Sequence, residues 1–471
     1  MDKVQFNSKR TAAMLASICC VAFLFMHGLV TTTGLFASED SDIGKEISRA
    51  EKQEMRAITT EGIFVDWRGD AITVAEEAGK PAMLRFDESY SYLIGYNSAS
   101  YGTSGLRSRL YSDIFNGGED GIGAQVTLTT DNALQEFCYK ILGSYEGSVI
   151  VMRADGALLA CTSRSSAEVG YNVNLVSKND KNAYNLYLEQ DSFFLNRSTM
   201  AADPPGSTFK IVTGAAQLEN GLGGFVVDDY LGYVEINGGK IHNFGTEPAG
   251  ANVGLEKALN KSVNVYFAQS AIQMRHYNMQ VMADKFLLNQ AIKLDFGNLF
   301  SNFDLDTMSD NYLLAQTAFG QGRTTMSPMH IAMIMNAVLN DGKMMKPYVV
   351  QRIDNDGQNI SITEPEVLAE PISSDTASVL KKYLHSTAEG YKYYESNYDK
   401  VYAKTGTADQ ANDKNHVYML IGIENTPVGD CVILIDRRNV TGTSSTLKPE
   451  AESIINYLRS MKPNDVDGNA Q

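Results

Sequence analysis

The N-terminal part of the chain has a long apolar stretch between charged flanks. From Thr11 to Ala37 there is no Lys, Arg, Asp or Glu. The apolar run from Ala12 to about Val30 reaches the ~20 residues that a membrane-spanning helix needs. Basic residues precede this run and acidic residues follow it: Lys3, Lys9 and Arg10, then Glu39, Asp40 and Asp42. The positive-inside rule therefore predicts a cytoplasmic tail at 1–10, a transmembrane anchor at 11–37 and an extracytoplasmic remainder.

A cleaved signal peptide ending near Ala37 is the alternative interpretation of the same stretch. Leu35 is unfavourable three positions before such a cut, and the apolar run is long, so we favour an uncleaved single-pass anchor. Both interpretations place most of the chain outside the cytoplasm. The charged, helix-compatible segment that follows predicts a stalk at 38–57.

Short strand-like pieces and glycine-rich turns then predict a small α+β domain at 58–145. Its turns include Gly117-Gly118 and Gly121-Ile-Gly. Near its end, Asp131 is placed to cap a helix that runs through Leu134 to Lys140.

The apolar pattern changes near Gly147 and predicts a larger α+β domain at 146–463. Two buried strands, at 148–152 and 157–161, flank the turn residues Ala154-Asp-Gly and indicate a β-hairpin. Helical patterns dominate from Ser207 to about Leu339, and strand patterns return at 401–405, 416–423 and 431–436. A helix from Pro449 to about Met461 closes the domain. Strands at both ends predict one antiparallel sheet completed by distant segments and flanked by helices. The polar tail 464–471 is predicted to be disordered.

Composition narrows the function mainly by exclusion. The chain has 471 residues, 44% of them hydrophobic and 20% charged, and a net charge of −16. This acidity argues against nucleic-acid binding, because phosphate would not be neutralised. Of the five cysteines, Cys138, Cys161 and Cys431 lie outside the apolar N-terminal segment. Their number and spacing indicate neither a disulfide framework nor a metal site, and we predict no cofactor and no metal.

The segment Pro204-Pro-Gly-Ser-Thr-Phe-Lys210 carries the first candidate chemistry. The prolines and glycine interrupt the chain before a predicted helix from Thr208 to Glu219, so Ser207 lies at or near a helix N-terminus. Ser207 and Lys210 share one helix face. A lysine with a lowered pKa can take the serine proton and so activate a nucleophile. The structural alternative is a capping serine followed by a surface lysine.

Two further polar groups follow in order. Ser262 lies between helical stretches at 254–259 and 265–274; it is either a helix cap or a hydroxyl relay between the base and the leaving nitrogen. Asn264 is then placed to bond Lys210 or a substrate amide. Lys404-Thr-Gly-Thr ends a predicted strand.

In that strand Gly406 marks a close backbone approach, which a bound extended peptide would need. Thr405 and Thr407 are candidates for binding a terminal carboxylate. Lys404 supplies positive charge and, as a like charge, helps to keep Lys210 neutral. The backbone N–H groups of Ser207 and Thr407 are the predicted oxyanion hole.

Ser-x-x-Lys, Ser-x-Asn and Lys-Thr-Gly in this order resemble the motifs of β-lactamases and penicillin-binding proteins. The chain resembles class B penicillin-binding proteins, and within them the short PbpA-like branch. Further similar segments are a stretch leading into Ser207, a linker, a late helical segment and a part of the small domain: 195–210, 123–135, 319–323 with 327–329 and 340–342, and 95–98 with 101–106. The resemblance covers residues 60 to 465.

The resemblance implies a penicillin-binding/β-lactamase-like transpeptidase domain on a small N-terminal pedestal. It implies a peptidoglycan D,D-transpeptidase in which Ser207 attacks the D-Ala-D-Ala bond of a stem peptide and passes the acyl group to an amine. β-Lactams would acylate the same serine. It also implies a SEDS-type membrane glycosyltransferase as partner.

Other functions are compatible with the same motifs. A D,D-carboxypeptidase would transfer the acyl group to water, and a β-lactam sensor or β-lactamase would use the same acyl-serine chemistry. A catalytically impaired cell-wall scaffold would keep the fold alone. The sequence has no His-Glu-x-x-His motif of the kind that sensors carry, and shows no deacylating base.

Overall fold

The computed structural model describes residues 54–86, 88–117, 121–305, 310–355, 358–390, 400–410 and 414–462. The predicted tail, the anchor, most of the stalk and the C-terminal tail lie outside these ranges. Within them, no helix combines the length and the apolar character needed to cross a membrane. The chain divides into two units, Met1–Thr59 and Thr60–Gln471, and the fold below is that of the second.

The strands of this unit are numbered in chain order. They are β1 Phe64–Val65, β2 Thr73–Val74, β3 Met83–Leu84, β4 Asn97–Ser98, β5 Gly102–Thr103, β6 Gln125–Leu128, β7 Gly147–Arg153, β8 Leu158–Arg164, β9 Val227–Asp229, β10 Tyr233–Ile236, β11 Gly239–His242, β12 Gly250–Val253, β13 Ile292–Leu294, β14 Gly297–Leu299, β15 Met344–Met345, β16 Val350–Asn355, β17 Gln358–Ile362, β18 Val367–Ala369, β19 Val401–Asp409, β20 Asn415–Ile423 and β21 Cys431–Val440.

The helices are numbered in the same way. They are α1 Ser91–Ile94, α2 Gly105–Arg109, α3 Tyr111–Phe115, α4 Asn132–Leu142, α5 Val173–Ser177, α6 Lys181–Leu188, α7 Lys210–Glu219, α8 Leu255–Asn260, α9 Asn264–Lys285 with a break at Arg275, α10 Asn311–Thr317, α11 Pro328–Leu339, α12 Ser374–Gly390 and α13 Lys448–Ser460; 3-10 turns lie at Gly206–Phe209, Phe244–Thr246 and Ser444–Leu447.

The central sheet confirms the predicted union of distant segments. Its strands lie in the order β19-β20-β21-β7-β8, and all neighbours are antiparallel. The predicted hairpin forms β7 and β8, and β7 pairs with β21 through partners such as Val149 and Ile435. Strand β19, with the Lys-Thr-Gly motif, is at one edge of the sheet, where it contacts α12 and the 3-10 turn at Gly206–Phe209.

Helices cover both faces of this sheet because its strands are apolar on both sides. Along β21, Val432 and Leu434 belong to one buried cluster, and Ile433 and Ile435 belong to the other. The second cluster includes buried residues of α4 and α13. Helix α13 is the predicted closing helix, which is thus confirmed. On the first face, α11 packs on β20 and β21. Every residue of α11 is buried, as is typical of a helix that is apolar all round.

The region predicted as the small N-terminal domain contributes β1 and β6 to a second sheet, β1-β6-β16-β17. Strands β16 and β17 come from the region predicted as the larger domain, so the sheet joins segments from both sides of residue 145. A fully buried ion pair lies beside it, with Arg107 Nε 2.7 Å from Glu61 Oε1. The predicted cap is confirmed, since Asp131 Oδ1 accepts from Leu134 N at 2.9 Å.

One predicted helical region is wrong in part. Between α7 and α8 the chain forms strands β9 to β12. Hairpin β10–β11 turns through Asn237 and Gly238, whose φ angles are +48° and +78°. Asn-Gly between short strands is a strong hairpin signal. This hairpin could therefore have been predicted from the local sequence, in spite of the helical patterns on both sides.

Candidate active site

Ser207 lies in a tight turn that leads directly into a helix. Residues Gly206–Phe209 form a 3-10 turn, and α7 continues from Lys210. The predicted helix therefore exists, but its first turn is 3-10. Ser207 is half-buried and lines a cleft of about 590 Å³.

Close backbone contacts hold this turn on two sides. Gly206 N donates to Gly320 O at 3.0 Å, and a Cβ atom on Gly320 would lie only 2.0 Å from Gly206 O. On the other side, a Cβ atom on Gly206 would meet the backbone of Thr407 at 3.1 to 3.3 Å. The two predicted oxyanion donors, the N–H groups of Ser207 and Thr407, thus belong to segments that are packed together.

Lys210 is fully buried beneath the cleft. Its Nζ lies 2.8 Å from Ser262 O, 2.9 Å from Ser262 Oγ and 2.7 Å from Asn264 Oδ1. Burial, and next the positive charge of Lys404, lower the pKa of Lys210 well below its ordinary value. The neutral amine is therefore favoured, and a neutral amine can accept a proton.

Ser262 does not cap a helix. Val263 occupies the N-cap position of α9, without a side-chain bond. Ser262 itself has φ of +56°, an uncommon conformation for a residue with a side chain. Its hydroxyl lies between two lysines, 2.9 Å from Lys210 Nζ and 3.1 Å from Lys404 Nζ.

Lys404 is also fully buried, and its Nζ additionally donates to Thr405 O at 3.1 Å. The close approach predicted at Gly406 is present, but the protein itself fills it. A Cβ atom on Gly406 would lie 3.0 Å from Pro205 O and 3.1 Å from Tyr418 Cδ2. Glycine is needed here because the turn before Ser207 packs against β19.

The structure thus brings all the predicted residues together. Ser207, Ser262, Asn264, Thr405 and Thr407 line the cleft. Lys210, Lys404 and Gly406 lie against it in the positions given above.

Sequence reasoning missed one wall of the cleft, which hairpin β10–β11 forms. His242 O accepts from Asn264 Nδ2 at 2.8 Å, and Asn243 Oδ1 accepts from Val265 N at 3.1 Å. These bonds fix the hairpin to the start of α9. Asn264 therefore bonds Lys210 through Oδ1 and the hairpin through Nδ2. Tyr312 and the turn residues Ser444 and Ser445 also line the cleft.

A sheet flanked by helices, with the three motifs around one cleft, defines the class of penicillin-recognising acyl-serine proteins. More particularly, residues 147–445 match the family model "Penicillin binding protein transpeptidase domain", and the chain belongs to this family.

Curated relatives and solved structures agree with this assignment. The chain is 25% identical over 399 residues to the peptidoglycan D,D-transpeptidase PbpA of Mycolicibacterium smegmatis, covering 75% of this chain and 79% of that protein. It is 26% identical over 400 residues to PbpA of Mycobacterium tuberculosis, with the same coverage.

Two solved structures share the fold. The ceftriaxone acyl-enzyme of penicillin-binding protein A from M. tuberculosis superposes with a TM-score of 0.77 at 19% identity, over 87% of this chain and 100% of that chain. The D,D-transpeptidase domain of a peptidoglycan glycosyltransferase from Eggerthella lenta gives 0.75 at 24% identity, over 85% and 98%.

Proposed function

We propose that this chain is a peptidoglycan D,D-transpeptidase that cross-links stem peptides through an acyl-serine intermediate and is acylated by β-lactams. The observation that carries the proposal is the buried Lys210, one turn after Ser207 and bonded to Ser262 and Asn264. Its lowered pKa supplies a base without a histidine. The PbpA relatives are named for the same activity.

The reaction proceeds in two acyl transfers. Lys210 takes the proton of Ser207 as Oγ attacks the carbonyl carbon of the D-Ala-D-Ala bond. The C–N bond breaks, the leaving D-alanine amine receives a proton through the Ser262 hydroxyl, and a Ser207 ester remains. An amine of a second stem peptide then attacks the ester, gives up a proton, forms the new amide and frees Ser207.

The remaining residues bind and stabilise charge. Thr405 and Thr407 hold the terminal carboxylate of the donor peptide, and Lys404 supplies positive charge. The backbone N–H groups of Ser207 and Thr407 stabilise the oxyanion, and losing one such donor costs about 3–4 kcal/mol in comparable acyl transfers. Gly406 allows the turn that carries Ser207 to pack against β19.

The finer assignments concern location and partner. The anchor at 11–37 would place the pedestal at 58–145 and the transpeptidase domain at 146–463 outside the plasma membrane, as a single-pass protein. The apolar run from Ala12 to about Val30, with basic residues before it, supports this topology. A SEDS-type membrane glycosyltransferase would supply the glycan strands, and co-purification from membranes tests that partnership.

Labelling of the full-length chain with a fluorescent penicillin tests the function. The wild-type chain should be labelled, Ser207→Ala should not, and Ser445→Ala should behave as wild type. Ser445 is a matched control because it is a second serine that lines the cleft. Label that persists in Ser207→Ala would reject Ser207 as the nucleophile.

A second measurement separates transfer from hydrolysis. With a D-Ala-D-Ala stem peptide and a D-amino acid or stem-peptide amine, a transpeptidase forms the exchanged or cross-linked product. Release of D-alanine without such a product would indicate a D,D-carboxypeptidase. Loss of the penicillin label within seconds would indicate a β-lactamase, and the complete lack of labelling would indicate a scaffold.

A further inference from the structure

The turn before Ser207 has few ways to be held in place. Pro204 and Pro205 have no backbone N–H, so only their carbonyl oxygens can take part in hydrogen bonds. Pro205 O accepts from Thr208 Oγ1 at 2.7 Å, within the turn itself. Pro204 O accepts from Tyr418 Oη at 3.1 Å, and this bond connects the turn to the central sheet.

Tyr418 is fully buried on β20, behind the turn and away from the cleft. Its ring packs against Gly406, where a Cβ atom would lie 3.1 Å from Tyr418 Cδ2 and 3.0 Å from Pro205 O. The ring therefore fills the space between the turn and β19. Burial, and then the carboxylates of Asp203 and Asp436, raise the pKa of Tyr418 well above its ordinary value. The hydroxyl thus keeps its proton.

A buried pair of side chains orients this hydroxyl. His416 Nδ1 lies 2.9 Å from Tyr418 Oη, and His416 Nε2 lies 3.0 Å from Asp436 Oδ2. Asp436 also accepts from Ser148 Oγ. A phenol has one proton to donate. When that proton lies toward Pro204 O, the His416 ring, with Asp436 behind it, fixes the position of the hydroxyl from the other side.

Asp203, the residue before the prolines, has contacts of its own, and its Oδ2 also lies 3.7 Å from His416 Nδ1. Its carboxylate accepts from Arg438 at 2.9 Å, and its backbone pairs with Met326. The chain is therefore held at Asp203 and, through Gly320, at Gly206. Between these two points, the hydrogen bond from the Tyr418 hydroxyl to Pro204 O connects the turn to the central sheet.

We propose that Tyr418 is a positioning residue for acylation: its hydroxyl, oriented by His416 and Asp436, holds Pro204 O and so sets Ser207 relative to Thr407. This inference rests on the proposed function of Ser207. A nucleophile displaced by about 1 Å loses on the order of 10²-fold in rate, although substrate can still enter the cleft.

The first test is Tyr418→Phe in the full-length chain, which removes only the hydroxyl. With a fluorescent penicillin, the limiting acylation rate constant and the dissociation constant of the preceding complex are measured separately. We expect the rate constant to fall roughly ten-fold or more, with the dissociation constant within about two-fold, because the cleft wall is unchanged. If Tyr418 only stabilised the fold, its hydroxyl would not change the acylation rate constant while leaving the dissociation constant unchanged.

Tyr90→Phe is the matched control. Tyr90 is also fully buried, and its hydroxyl bonds Thr130 and Asn132 in the region predicted as the small domain. This variant should change neither constant, and melting temperatures of both variants measure any general loss of stability. Equal slowing by Tyr90→Phe would overturn the proposal.

His416→Gln tests whether His416 acts through Tyr418. It should slow acylation in the wild-type background, whereas His416→Gln with Tyr418→Phe should be no slower than Tyr418→Phe alone. Additive effects would overturn the proposal. If His416→Gln fails to fold, Tyr418→Phe alone decides.

The outcomes also separate this inference from the function on which it rests. A wild-type chain that is labelled at Ser207, with a normal rate for Tyr418→Phe, rejects only the positioning role. A wild-type chain that is not labelled rejects both.

Discussion

Lys210 Nζ lies 2.9 Å from Ser262 Oγ, and both groups are held by further bonds. A neutral amine has two N–H groups and one lone pair. Ser262 O and Asn264 Oδ1 accept the two N–H groups, at 2.8 and 2.7 Å. The lone pair is then available to a hydroxyl, while Lys404 donates to Ser262 Oγ from the other side. In this arrangement Lys210 is therefore the group that receives a hydroxyl proton.

The pH dependence of acylation follows from this arrangement. The pKa of Lys210 is lowered by burial and then by Lys404, so acylation should increase as the pH rises through that lowered pKa. Lys404→Gln removes a like charge that disfavours the protonated amine, so the pKa of Lys210 should rise. The acid limb of the acylation rate constant should then move to higher pH.

Acylation rates with a fluorescent penicillin at a series of pH values measure this shift. Lys261→Gln is the control, because Lys261 is an exposed lysine at the same cleft. It should leave the midpoint where it is. An unchanged midpoint in Lys404→Gln would contradict the coupling of the two lysines.

Ser262→Ala should slow acylation without unfolding the protein. It removes the relay hydroxyl, and a general acid–base group contributes about 10²–10⁴-fold in rate. Ser270→Ala on α9 is the comparison, because Ser270 is fully buried and donates to Gln217 Oε1 at 2.9 Å. Each change should cost about 1 kcal/mol of stability, but only Ser262→Ala should lower the rate. Similar rates in the two variants would exclude the relay.

Gly320→Ala should damage both stability and acylation. Its φ is +80°, and the new Cβ atom would lie 2.0 Å from Gly206 O. Gly69→Ala separates the two causes, because Gly69 has φ of +87° but nothing within 4 Å of the new atom. Backbone strain alone costs about 1–2 kcal/mol.

Urea unfolding and acylation kinetics should show a larger loss of stability for Gly320→Ala, and a slower rate for this variant alone. Equal losses of stability in Gly320→Ala and Gly69→Ala would mean that Gly206 moves away from the new Cβ atom without a cost in free energy.

Arg107→Gln should destabilise the fold strongly. It leaves the fully buried Glu61 without its ion-pair partner, and an unpaired buried charge costs about 3–5 kcal/mol. Lys80→Gln is the control, because Lys80 pairs with Glu77 on the surface. The urea midpoint should fall for Arg107→Gln and stay unchanged for Lys80→Gln. A small effect of Arg107→Gln would mean that Glu61 becomes protonated or solvated.

Much of the fold could be predicted because its signals are local. Two continuous apolar runs and the turn at Ala154-Asp-Gly were enough to predict β7 and β8, and Asp131 was enough to predict a cap. The strands between α7 and α8 were missed because helical patterns on both sides outweighed the Asn237-Gly238 turn. The anchor and the domain limits at 145 and 463 stay predictions.

The site shows the same division. Motif order was enough to predict that Ser207, Lys210, Ser262, Asn264 and the strand from Lys404 to Thr407 share one cleft. The role of Gly406 was predicted only in part, because the atoms that crowd it belong to Pro205 and Tyr418. No spacing rule connects these positions along the chain.

By itself, the sequence determined the candidate site residues, their order and the family, since these depend on residue type and local spacing. Only the tertiary structure decided that Ser262 lies between two buried lysines rather than capping a helix. It alone decided that Tyr418 and His416 support the turn before Ser207. The physical reason is that burial, lowered pKa values and long-range hydrogen bonds arise only when segments some 200 residues apart pack together.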